Sequence, residues 1–85
     1  MEKQIQSKIK KKLQADGWLV IKLIKTSHNG IPDLLCCKDG KVMFVEVKQE
    51  KGTLTKLQQE RISELREKGF ECKIWTDYET DFKSR

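Results

Sequence analysis

Eighty-five residues leave room for one domain with one modest core, because a chain this short buries only about 60% of the surface that its unfolded form exposes. Hydrophobic and charged residues each make up 36%, a balance that suits a folded domain better than a disordered tail. Eighteen Lys and Arg against thirteen Asp and Glu give a net charge of +5 and a pI near 9.2, which favours an anionic partner, nucleic acid or a membrane surface.

No apolar stretch approaches the ~20 residues of a transmembrane helix, and the amino terminus MEKQIQSK lacks the apolar core of a signal peptide. The expected location is intracellular, in the cytoplasm, with no membrane partner. Residues 1–85 are expected to form a single domain, with no repeat, low-complexity tract or linker. Cys36, Cys37 and Cys72 are expected to be reduced, since three cysteines cannot all pair within one chain. A zinc site would need four ligands, which a lone His28 without a CxxC motif does not supply.

From Glu2 to about Asp16, Ile5, Ile9 and Leu13 recur every four residues with Lys3, Lys8, Lys10 and Lys11 elsewhere around the axis, predicting an amphipathic helix with a basic outer side. Gly17 is a stop, and Trp18 to Lys25, WLVIKLIK, is too rich in bulky and branched residues to be a loop and reads as the first strand. The Asn-Gly and Pro signals of Thr26 to Pro32 mark an irregular connection. DLLCCK and KVMFVEVK then flank Asp39-Gly40 as a hairpin. After a polar loop from Gln49 to Thr53, a helix is predicted from about Thr55 to Lys68, closed by Gly69, and FECKIW supplies a fourth strand. The order is αβββαβ, an α/β domain. The tail DYETDFKSR reads either as a frayed end or as a short helix.

The two-residue turn sets a register. Lys38 pairs with Lys41, and counting outward brings Asp33 opposite Glu46. Opposed residues of an antiparallel pair share a face with β-carbons about 4.5–5.5 Å apart, where like charges repel, so a divalent cation is the natural compensator. Lys48, two residues past Glu46, falls on the same face. The plainer reading is a polar hairpin end carrying a surface Glu46–Lys48 ion pair, worth about 0–1 kcal/mol.

GIPDLL, FVEVKQ and LTKLQ ahead of an amphipathic helix together resemble the VRR-NUC branch of the PD-(D/E)XK nucleases over nearly the whole chain. The resemblance implies the core of that superfamily, a mixed four-stranded sheet flanked by helices. It also implies a Mg²⁺ or Mn²⁺ ion bound by Asp33, Glu46 and the backbone carbonyl of Val47, with Lys48 positioning or activating the attacking water. A catalytic Glu on the first helix and a Gln on the second would match Glu2 and Gln58. Glu2 lies on the same side of its helix as Ile5, Ile9 and Leu13, although an acid at a helix start also complements the macrodipole. Gln58 falls within the stripe of Leu57, Ile62 and Leu65, and would equally complete a capping box with Thr55.

Phosphate contacts are expected among Lys22, Lys25, His28, Asn29, Lys51 and Arg61, with a solvated lysine the alternative for each Lys and an ion pair to Glu60 or Glu64 the alternative for Arg61. For His28, phosphate contact or loop polarity is favoured over general-base catalysis. The reading is a metal-dependent, structure-specific DNA endonuclease acting on branched DNA such as a four-way junction, as a homodimer. Its rivals are a non-catalytic DNA-binding module that kept the nuclease fold and an interaction protein with a basic helix. Trp18, Phe70 and Trp75 enter the dimer expectation as bulk beyond what so small a sheet must bury.

Overall fold

The computed structural model describes residues 2–48 and 53–75, with side chains from residue 4 onward. Six elements follow in chain order: α1 (Glu2–Ala15), β1 (Leu19–Lys22), β2 (Leu34–Lys38), β3 (Lys41–Val47), α2 (Lys56–Glu67) and β4 (Glu71–Trp75). The expected αβββαβ order and mixed four-stranded sheet are both present. The strands lie in the order β1-β2-β3-β4, with β1–β2 and β2–β3 antiparallel and β3–β4 parallel through the α2 crossover.

Alternation along β3 divides the molecule. Met43, Val45 and Val47 face one way and join Ile9 and Leu13 of α1, Val20, Leu34, Cys36 and Trp75 in a single core, with Ile5 and Trp18 packed against it. Phe44 and Glu46 face the other way, toward α2, where Phe44 meets Phe70 edge to face at 5.9 Å. The helices thus cover opposite faces of the sheet, and α2 lies on the side of Glu46. No helix among the described residues is long and apolar enough to cross a membrane.

Both helices stop in the same way. Gly17 and Gly69, each at φ +93°, let the chain reverse in the left-handed region, which costs a residue without Cβ nothing. The following amides reach back, Trp18 N to Leu13 O at 3.0 Å and Phe70 N to Leu65 O at 3.1 Å, forming Schellman motifs that satisfy carbonyls left open by the last turn. The start of α2 is equally defined, because Thr55 and Gln58 form a reciprocal capping box.

The turn register holds. Lys38 pairs with Lys41 and the ladder runs to Leu34 opposite Val45, while Asp39 at φ 51° and Gly40 at φ 76° have the paired positive φ of a type I′ turn. The first strand is shorter than expected, ending at Lys22 rather than Lys25. Its partner runs out: beyond the bond from Leu23 N to Asp33 O at 2.8 Å, the facing segment leaves to pack on α2, where Asn29 O accepts from Arg61 and Gly30 meets Leu57. Trp18 lies outside the strand because its amide is used in ending α1.

Candidate active site

Three elements converge at the open end of the β2–β3 hairpin. β3 carries Glu46 and leads into Lys48, whose N–H donates to Trp75 O at 2.9 Å and so carries the parallel ladder one residue further. Asp33 stands one residue before β2, next to the last ladder pair, Leu34–Val45. α2 brings Gln58 over the same face.

The carboxylate of Asp33 reaches across the strands. Its Oδ2 accepts the backbone N–H of Val47 at 2.9 Å, which tethers the acid to β3 between Glu46 and Lys48. Glu46 is 2% exposed, a burial that a carboxylate tolerates only with partners. Its Oε2 accepts from Gln58 Nε2 at 3.3 Å and lies 4.0 Å from Lys48 Nζ, whose side chain is itself mostly buried. At that separation the Lys48 contact is a loose ion pair, with room for a hydrogen-bonded water or phosphate oxygen to use the ammonium.

Gln58 serves two purposes that looked like alternatives in the sequence. Its Oε1 accepts from Thr55 N at 2.9 Å in the capping box, and its Nε2 donates to Glu46. The two bonds fix which end of the amide is which. Of the stripe expected on α2, Ile62 is buried, whereas Leu57 is 37% exposed.

Asp33, Glu46, Lys48, Val47 and Gln58 are thereby brought together. α1 begins at Glu2, but the side chain of Glu2 lies outside the described part, as does Lys51. Lys22 pairs with Leu34 and so ends β1 on the α1 side of the sheet, opposite to Glu46. Lys25, His28 and Asn29 are exposed in the connection before Asp33, where Thr26 Oγ1 donates to His28 O at 2.6 Å. Arg61 is engaged by the protein itself: Nε donates to Asn29 O at 2.9 Å and Nη1 to Glu64 Oε1 at 2.7 Å. The expected pairing with Glu64 is there, while the bond to Asn29 carried no signal in the sequence.

The donor set fits a hard cation. The carboxylates of Asp33 and Glu46 offer oxygen donors, as Mg²⁺ and Mn²⁺ prefer; among the described residues no group of three or more His, Cys, Asp or Glu side chains is placed to hold a metal ion. The cysteines are free, and burial pushes the Cys36 thiol up to about 11 and raises that of Cys72, which makes both poor thiolate ligands near neutral pH.

A buried acid held by a helix amide, a second acid tethered across a hairpin and a lysine beyond them form the layout of a PD-(D/E)XK nuclease domain. The VRR-NUC domain model matches residues 1–76. A solved structure described as a VRR_NUC domain superposes with a TM-score of 0.86 at 30% identity, covering 96% of this chain and 90% of its own. A search of curated proteins finds no match. The chain belongs to the VRR-NUC family, within the PD-(D/E)XK nuclease superfamily. Membership makes it a nuclease-type, DNA-processing module of a family that typically uses divalent metals.

Proposed function

We propose that the chain is a Mg²⁺- or Mn²⁺-dependent endodeoxyribonuclease of the cytoplasm that hydrolyses phosphodiester bonds in branched DNA, such as a four-way junction, and works as a homodimer. The observation that carries the reading is the convergence of Asp33, Glu46, Lys48 and Gln58 on one face at the end of the hairpin.

Asp33, Glu46 and the carbonyl of Val47 would hold the cation. When bound, it supplies Lewis-acid stabilisation of charge on the phosphoryl oxygens. The chain's own residues do the rest. Lys48 positions the attacking water, whose oxygen forms the new bond to phosphorus as the bond to the leaving ester oxygen breaks; the water gives up a proton to solvent, and the leaving oxygen takes one up from solvent to depart as the alcohol. Gln58 holds Glu46 in place, and Glu2 at the start of α1 is assigned a supporting catalytic role from the family pattern. Lys25, His28 and Asn29, exposed ahead of Asp33, are assigned to the DNA backbone, together with Lys22 and Lys51.

This domain by itself offers little surface for reading base sequence, and the reading therefore assigns it recognition of DNA shape. One site cuts one strand, so opposed cuts in a junction call for two sites related by a two-fold axis. Trp18 and Trp75 do not serve that contact, since Trp75 is 3% exposed and Trp18 packs on the core; the exposed apolar residues of the first strand, Leu19 and Ile21, suit it better.

The experiment is a cleavage panel of labelled duplex, nicked, flapped and four-way DNA with Mg²⁺ or Mn²⁺, run beside sedimentation of protein with and without junction. Paired cuts in the junction by a dimer are expected. Salt-sensitive DNA binding without cleavage would replace the enzyme with a binding module, and a monomer that only nicks would redirect the reading to flap or single-strand processing.

A further inference from the structure

The connection of residues 26–32 ends in Asp33, and α2 grips it at two adjacent points. Arg61 Nε donates to Asn29 O at 2.9 Å across thirty-two positions of sequence, and Glu64 holds the other arm of the guanidinium at 2.7 Å. Next to it, Gly30 at φ +81° lies flat against Leu57. A Cβ at that glycine would stand 2.9 Å from Leu57 Cγ and 3.1 Å from its carbonyl carbon and oxygen. Leu57, turned away from the core, has its packing partner here. Pro32 is fully buried, so the connection is fixed again just before the acid.

We propose that Arg61 is a positioning residue of the nuclease site and does not contact phosphate: by holding Asn29 against α2 it sets the path of the connection, and through it the place of Asp33 opposite Glu46. The proposal rests on the reading that Asp33 and Glu46 share a cation. One helix then places both acids, Glu46 through Gln58 and Asp33 through Arg61, from residues three positions apart. A surface arginine reaching for DNA would keep its guanidinium in solvent, whereas this one spends Nε on a backbone carbonyl and Nη1 on a carboxylate. Outer partners of this kind set metal affinity by about 10–100-fold in other sites.

Three readouts test the assignment in the full chain: calorimetry with Mn²⁺ alone, amide hydrogen exchange, and the salt dependence of DNA binding without metal. Arg61→Ala is expected to weaken Mn²⁺ binding at least tenfold. It should also speed exchange of the Val47 and Leu23 amides, which donate to Asp33, relative to Met43 and Cys36 in the middle of the sheet. Arg61→Lys, which keeps the charge, should fail in the same way, as should Gly30→Ala, which removes no charge. Glu64→Gln should leave Mn²⁺ binding within about twofold. In none of these should the salt slope of DNA binding change by a full phosphate contact, roughly 0.9. Unchanged exchange at Val47 in Arg61→Ala overturns the proposal whatever the metal does, and so does normal Mn²⁺ binding in Arg61→Lys with a salt slope reduced only in Arg61→Ala. Wild-type Mn²⁺ binding that is insensitive to Asp33→Ala would instead remove the nuclease reading, with the exchange result still deciding whether Arg61 holds the connection.

Discussion

Gln58 joins the start of α2 to Glu46, its carbonyl oxygen closing the capping box with Thr55 at 2.9 Å and its amide nitrogen donating to the buried carboxylate at 3.3 Å. Helix start and acid are therefore coupled by one side chain, and substitutions can separate the two roles. Thr55→Ala removes the cap and should cost about 1 kcal/mol of stability, with cleavage reduced less than threefold. Gln58→Ala should cost a similar amount and also lower the single-turnover rate by about tenfold or more, since Glu46 loses a partner where burial makes partners expensive to lose. Thermal denaturation beside cleavage kinetics distinguishes them, and equal rates in the two variants would reduce Gln58 to a cap.

Asp33→Ala or Glu46→Ala is expected to abolish Mn²⁺ binding and cleavage alike, because each removes one of the two carboxylates offered to the cation. Asp33→Asn keeps an oxygen to accept the Val47 amide, so it should retain the fold and lose only the charge. Calorimetry with circular dichroism as a fold control measures this. Retained Mn²⁺ affinity in both alanine variants would end the shared-cation reading.

For Lys48→Ala, metal and DNA affinities should stay within a few-fold while turnover falls by 10²-fold or more, as expected of a group that acts in the chemical step. Single-turnover rates at saturating enzyme decide the matter, and an unchanged rate would leave Lys48 as an ion-pair partner only.

Alkaline pH should weaken the fold through Cys36. Burial, and secondarily the neighbouring Cys37, raise this thiol from 9.0 to about 11, so the folded state keeps a proton that the unfolded chain releases. A raised folded value means that the contribution is fully present below pH 9 and is lost as pH rises toward 11, by up to roughly 2–3 kcal/mol. Urea unfolding from pH 8 to 11 should show the decline, and Cys36→Ala, set against its own lower baseline, should show less of it. An identical pH dependence in both proteins would rule Cys36 out as the cause.

Much of the site was legible because the Asp39-Gly40 turn leaves only one register, and the alternation of β3 then sorts Glu46 from Val45 and Val47 without further information. The length of β1 was not. Apolar composition continues through Leu23 and Ile24, while the strand ends where the facing connection leaves to pack on α2, a fact about another segment. Leu57 fits the helical period of the core stripe and yet packs on Gly30, since periodicity fixes an angle around the helix and says nothing of how far the sheet extends beneath it. The capping and site roles of Gln58 seemed exclusive only because sequence assigns a residue one partner, whereas an amide has two ends. Arg61 and Asn29 meet through a backbone carbonyl, which no side-chain pattern encodes.

Glu46 sits within the parallel ladder, paired with Ile74 of β4 and with its carboxylate under Gln58 of α2, whereas the antiparallel ladder to β2 ends one residue earlier at Val45. Asp33 stands beyond the last pair of β2, held by its own two bonds and by the connection that α2 grips. The two acids therefore have unequal lifetimes in place, one tied to the survival of the β3–β4 pair and of α2 packed on it, the other to a local opening of smaller free energy. A cation bridging them would act as a clasp on the weaker half, and protection of the Leu23 and Val47 amides would rise on its binding while the centre of the sheet exchanged as before.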